Sequence, residues 1–97
     1  MKIITICGSL KFMNEMMTES LRLSMEGNCV LTPIYPVNYN TNITLDQKEL
    51  LKEEHFKKIE LSDQIFVLNK DGYIGDSTKL EIDYAKSLNK EIIYYND

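Results

Sequence analysis

The 97-residue sequence predicts a small three-layer α/β fold, Rossmann or flavodoxin-like, as a single domain over residues 1–97. Three observations point there. Four short apolar segments alternate with three stretches of helical spacing, the pattern of a parallel sheet joined by right-handed crossovers. Segments such as IFVL and IIYY are near-continuously apolar, which suits strands covered on both faces. The first segment runs into Gly8-Ser9, a tight turn that leads into a helix.

In chain order, the first strand is Ile3–Cys7. Met13, Met16, Met17, Ser20 and Leu21 then recur at three and four residues as one helix face, and Gly27-Asn28 ends that helix. The second strand is Cys29–Pro33. Ile34 to Thr44 is the longest irregular stretch and holds Tyr35, Pro36, Tyr39 and an Asn/Thr-rich run around Thr41. Leu51, His55 and Ile59 share a face of the second helix; Lys52-Glu53-Glu54 with Lys57-Lys58 reads as its solvated side. The third strand is Gln64–Leu68. The third helix runs from about Ser77 to Asn89 with Glu81, Tyr84, Ala85 and Leu88 on one face, and Glu91–Tyr95 is the fourth strand. The expected strand order is 2-1-3-4. Such sheets bind ligands beyond the carboxyl ends of the strands, where the order reverses. That edge takes Gly8, Ser9 and the turn from Asn69 to Thr78.

Composition narrows the function. A net charge of −4 without a Lys/Arg cluster argues against nucleic-acid backbone as a partner. No apolar run approaches the ~20 residues of a membrane helix, and MKIITICGSL reads as a strand and not as a signal peptide. A cytoplasmic location is the expectation. Cys7 and Cys29 fall at opposite ends of neighbouring strands, too far apart to bridge, and read as free thiols. A core this small gains from self-association, so a homodimer or larger assembly is expected.

Several residues could carry chemistry. Thr78-x-x-Glu81 has the form of a capping box, yet Glu81 also lies on the stripe that packs on the sheet. A carboxylate there is costly unless it meets a partner or a ligand, and both readings stay open. His55, the one histidine, sits between Leu51 and Ile59, either as a hydrogen-bonded core residue or as an acid–base group. No second histidine or cysteine pair accompanies it, so no metal site and no cofactor is expected. Gly8 and Ser9 can cradle an anion or simply make the turn. Lys11 reads as an exposed lysine. Tyr35, Tyr39 and Tyr73 flank the expected cleft and can stack on a base or fill an interface. Asp71-Gly72 and Gly75 read as turn formers.

Three segments then stand out together: ICGSLKF, HFKKIELSDQIFVLN and GYIGDSTKLEIDYAKSLNK. They resemble the nucleoside 2-deoxyribosyltransferase-like family over most of the chain, and a short branch with the form GYIG-x-ST-x-x-E in particular. The resemblance implies a parallel α/β fold and action on a nucleoside or nucleotide N-glycosidic bond, by transfer or hydrolysis. Glu81, within Glu-Ile-x-Tyr-Ala, matches the family's glutamate nucleophile. Gly8 and Ser9 match the turn that approaches sugar or phosphate, and the loop residues Tyr73, Gly75, Asp76, Ser77 and Thr78 join them as expected ligand contacts. Asp63 matches an aspartate that reads as structural. His55 stands where the family often has an aspartate, eight residues before Asp63. A chain segment beyond the fourth strand often closes the family's pocket; here either a neighbouring subunit supplies that wall or the pocket stays open. The alternative is a non-catalytic protein that binds or sequesters a nucleotide or a nucleotide-derived signal. A third reading is an interaction domain whose glutamate only caps a helix.

Overall fold

A computed structural model describes residues 1–36 and 42–96. Strand β1 (Ile3–Gly8) leads through a short 3-10 turn into helix α1 (Met13–Met25). Strand β2 (Cys29–Leu31), helix α2 (Leu45–Leu61), strand β3 (Gln64–Leu68), helix α3 (Asp76–Ser87) and strand β4 (Glu91–Tyr94) follow. The sheet is parallel throughout, in the order β2-β1-β3-β4. The expected three-layer α/β fold and strand order are both observed.

Side-chain alternation splits the core into two layers. Ile4 and Ile6 of β1 and Phe66 and Leu68 of β3 point one way, into a cluster with Phe12, Met16 and Leu23. Cys7 of β1 and Ile65 and Val67 of β3 point the other way, toward Ile59 of α2 and Ile82 and Ala85 of α3. Thr5 shares that second parity and bonds the Ser62 hydroxyl and the Lys58 carbonyl, so the buried polar pair is satisfied. Every residue of β3 is buried, as expected of a central strand; β4 at the sheet edge alternates exposed and half-buried positions.

Several expectations shift. In α1, Met17 and Leu21 are 52% and 62% exposed. The covered stripe is Met16 and Leu23, with Phe12 ahead of the helix. Six apolar residues spread over several faces of α1 leave its phase ambiguous, and the structure buries Met16 and Leu23 in one cluster with Phe12. Strand β2 ends at Leu31, two residues before Pro33, which lacks the N–H a ladder needs. Helix α3 begins at Asp76 with Gly75 as its N-cap and no side-chain cap bond. Thr78 and Glu81 therefore lie inside the helix, and the capping-box reading of that pair is overturned. The capping box belongs to α2 instead, where Thr44 Oγ accepts from the Gln47 N–H and Gln47 Oε1 accepts from the Thr44 N–H. Leu88 sits past the end of α3 and is exposed, while Ile82 takes its place in the core. Lys58 is not a solvated lysine: its ammonium donates to the Thr32 carbonyl at 2.8 Å and pairs with Glu54 at 3.0 Å, pinning α2 to the end of β2.

Asp63 acts at the amino-terminal end of the sheet, where its carboxylate accepts from the Ile3 N–H at 2.8 Å. Cys29 pairs in register with Ile3, four residues before Cys7, and both thiols are free. No helix among the described residues is long and apolar enough to cross a membrane.

Candidate functional site

A cleft of about 820 Å³ opens at the carboxyl ends of β1 and β3. These two strands are neighbours whose connections leave on opposite faces of the sheet, which is the switch point of the topology. Gly8 forms its floor. A Cβ at this position would come within 3.2 Å of Leu68 Cβ and Met16 Sδ, so close packing of β1 on β3 and α1 requires glycine here. Ser9 follows as the N-cap of the 3-10 turn, its Oγ accepting from the Lys11 N–H at 3.3 Å. Across the cleft, α3 presents its first turn: Asp76 and Ser77 are exposed, Thr78 is buried, and the unpaired N–H groups of a helix start lie among them.

Tyr73 borders the opening. Its ring meets Phe12 edge-on at 5.9 Å, and the Lys11 ammonium sits 3.3 Å above the ring centroid. Lys11 thus has a defined place, clamped over an aromatic face. Gly75 packs under the same ring. The opposite wall is apolar and comes from α2 and the chain after β2, with Ile34, Leu45, Leu51 and Phe56, joined by Leu80 from α3.

At the base of the cleft three side chains meet. His55 Nε2, from α2, lies 3.6 Å from Glu81 Oε1, from α3, and 3.5 Å from Cys7 Sγ, at the end of β1. His55 and Cys7 are buried and Glu81 nearly so. Neither His55 Nδ1 nor Glu81 Oε1 has a hydrogen-bond partner among the described residues. Burial sets the electrostatics. It pushes the Glu81 carboxyl up to about 7, with the Cys7 thiol opposing. It pushes the His55 imidazole down to about 4, helped by the Lys58 charge and opposed by Glu54 and the Ile6 carbonyl. Burial, then the nearby Glu81 charge, raises the Cys7 thiol well above its usual range. Near neutrality the trio therefore holds a neutral imidazole, a thiol and a carboxyl that titrates readily.

Of the residues singled out in the sequence, Gly8, Ser9, His55, Tyr73, Gly75, Asp76, Ser77, Thr78 and Glu81 all line this cleft. Tyr35 does not: its ring packs against the α1-side core, where burial raises its phenol pKa. Tyr39 lies outside the described residues. Sequence reasoning passed over Cys7, read as an inert thiol, and the apolar wall of Leu45, Leu51, Phe56 and Leu80. Strand alternation was the available signal for Cys7, since two positions from Thr5 it must face the α2 side.

No protein-family model matches the sequence, and no curated protein matches it. Among solved structures, a 2-desoxiribosyltransferase from Leishmania mexicana has a similar fold, with a TM-score of 0.62 and 20% identity. The match covers 98% of this chain and 64% of that one, so the chain spans less than two thirds of the length of this neighbour. The superposition shows a shared fold, and at this identity the fold alone.

Proposed function

We propose that the protein cleaves or exchanges the N-glycosidic bond of a nucleoside or nucleotide, with Glu81 as nucleophile and His55 as its acid–base partner. One observation carries the reading: a nearly buried carboxylate, one oxygen of which has no partner among the described residues, faces the switch-point cleft beside an imidazole at 3.6 Å. Its likeness in fold to a deoxyribosyltransferase and the motif around Glu81 agree with this.

The reaction follows retaining-glycosidase logic. At rest Glu81 holds its proton more tightly than His55 would, at about 7 against about 4, so the transfer that leaves a carboxylate and an imidazolium side by side is uphill and is driven by the positive charge developing on the sugar. The carboxylate attacks the anomeric carbon through an oxocarbenium-like state as the C–N bond breaks. The departing base takes the proton from His55. Neutral His55 then deprotonates the water, or an incoming base, that opens the glycosyl ester. Gly8, Ser9 and the first turn of α3 line the polar side of the cleft, where sugar hydroxyls or a phosphate fit. Tyr73 and the apolar wall suit the base.

A second reading has its own support. A carboxyl raised to about 7 is partly protonated at neutral pH and can donate a hydrogen bond to a ligand without attacking it. A protein working this way would bind or sequester the nucleotide. Incubation with a panel of nucleosides and nucleotides, followed by analysis of bound species and free bases, separates the two. Free base supports the enzyme; tight binding of intact ligand across the panel supports the binder.

A further inference from the structure

We infer that Cys7, His55 and Glu81 form a three-ligand site for a divalent cation of the zinc class, with its fourth position open to the cleft. The three ligand atoms come from three elements and lie within 4.8 Å of one another. Their arrangement suits a metal site better than a Cys-His-Glu triad with Cys7 as nucleophile. A relay places nucleophile and carboxylate on opposite nitrogens of the imidazole. Here sulfur and oxygen converge on the same nitrogen, Nε2, at 3.5 and 3.6 Å.

The two edges that meet at Nε2 match those of a zinc tetrahedron, and the sulfur-to-oxygen edge, within 4.8 Å, closes to the required length of about 3.5 Å by a turn of the Glu81 carboxylate. With Zn–S about 2.3 Å and Zn–N and Zn–O near 2.0 Å, tetrahedral angles set S···N at about 3.5 Å and N···O at about 3.3 Å. Glu81 Oε1 is buried without a partner among the described residues, an acceptor that a cation would satisfy. One sulfur, one nitrogen and one oxygen favour zinc over magnesium or calcium, which take oxygen ligands. Charge also balances. A thiolate and a carboxylate offset the dication, the imidazole stays neutral, and the displaced protons leave to solvent. Glu81 and His55 line the cleft, so the fourth position faces water or a bound anion.

Binding stands apart from the proposed reaction; only one consequence rests on that reading. A metal on Glu81 ties up the oxygen that would attack the anomeric carbon, so zinc switches base release off.

The test strips the full-length protein with a chelator and titrates it with zinc against a chromophoric competitor, then with Co²⁺ read by absorption. The expected result is one equivalent bound and a near-ultraviolet thiolate-to-cobalt band. The band persists in Cys29→Ser and is lost in Cys7→Ser, and zinc affinity falls ~100-fold or more in His55→Gln. A band that follows Cys29, or wild-type protein that shows no thiolate band and no stoichiometric zinc, overturns the inference; both are read without Cys7→Ser should that variant misfold. Base release by stripped protein that zinc abolishes and chelator restores extends the inference to regulation. Zinc binding without any base release leaves the metal site standing and removes the enzymatic reading. Base release with no zinc binding does the reverse.

Discussion

His55 and Glu81 reach one point from two helices, Nε2 to Oε1 at 3.6 Å, and burial displaces their proton affinities in opposite directions. Each side chain costs the fold something when charged, and the costs fall in overlapping pH windows.

This overlap has a measurable consequence in chelator-treated protein. Glu81 goes from an ordinary 4.5 to about 7, so its favourable contribution is complete below pH 4.5 and is lost as pH rises through 7. His55 goes from 6.5 to about 4, so its contribution is present above 6.5 and is lost as pH falls through 4. The two slopes oppose each other between 4.5 and 6.5, and the wild type is expected to show nearly flat stability there. Denaturant melts of His55→Gln should weaken as pH rises across that range, and those of Glu81→Gln as pH falls. A steep wild-type slope in either direction would contradict the pairing.

Substituting Glu81 also separates function from stability. Glutamine removes a buried titratable group without changing its size, so Glu81→Gln at pH 8 is expected to melt no lower than wild type, and higher by up to ~3 kcal/mol. A loss of several kcal/mol there would mark Glu81 as a structural anchor of α3.

Gly8 and Gly75 should differ in their response to alanine. At Gly8 the new methyl meets Leu68 and Met16 at 3.2 Å, an overpacking expected to cost ~1–3 kcal/mol. At Gly75 the nearest atom is the Tyr73 hydroxyl at 3.5 Å, so only the poorer N-cap of alanine remains as a cost, at or below ~1 kcal/mol. Urea midpoints of the two variants compare them directly.

Assembly is the next expectation. Of the 17 residues of α2, His55 and Ile59 are the buried ones, and Leu45 and Leu50 are 82% and 63% exposed. A neighbouring subunit covering this helix would both hide that surface and wall the cleft beside Leu45 and Leu51. Light scattering is expected to give at least twice the 11.3 kDa chain mass, falling to one chain in Leu50→Glu. A wild type that scatters as a single chain at micromolar concentration contradicts it.

The architecture was legible because its signals are local and redundant. β3 carries an unbroken apolar run whose bounds, Gln64–Leu68, could be read directly, and helices alternate with strands, leaving few topologies. The site was legible where topology alone decides, as for Gly8, Ser9 and the loop from Tyr73 to Thr78. It was not legible where helix phase decides. The Met/Leu-rich α1 carries apolar side chains on several faces, so its spacing alone does not pick out Met16 and Leu23 as the buried pair. Thr78-x-x-Glu81 mimicked a cap because the chain enters α3 two residues earlier, at Asp76. Tyr35 packs against the α1-side core while its neighbours Pro33 and Ile34 line the cleft, and an irregular segment carries no periodicity from which to read that difference. Cys7 needed both strand parity and the neighbouring helix to be recognised as part of the cluster.

The central claim is that Glu81 performs the bond-breaking step. Base release from a panel of nucleosides and nucleotides, measured side by side for chelator-treated wild type and Glu81→Gln, tests it most directly. The expected result is release by the wild type and a fall of ~10³-fold or more in the variant, because a neutral amide cannot attack the anomeric carbon. Release that continues at the wild-type rate in Glu81→Gln would contradict it.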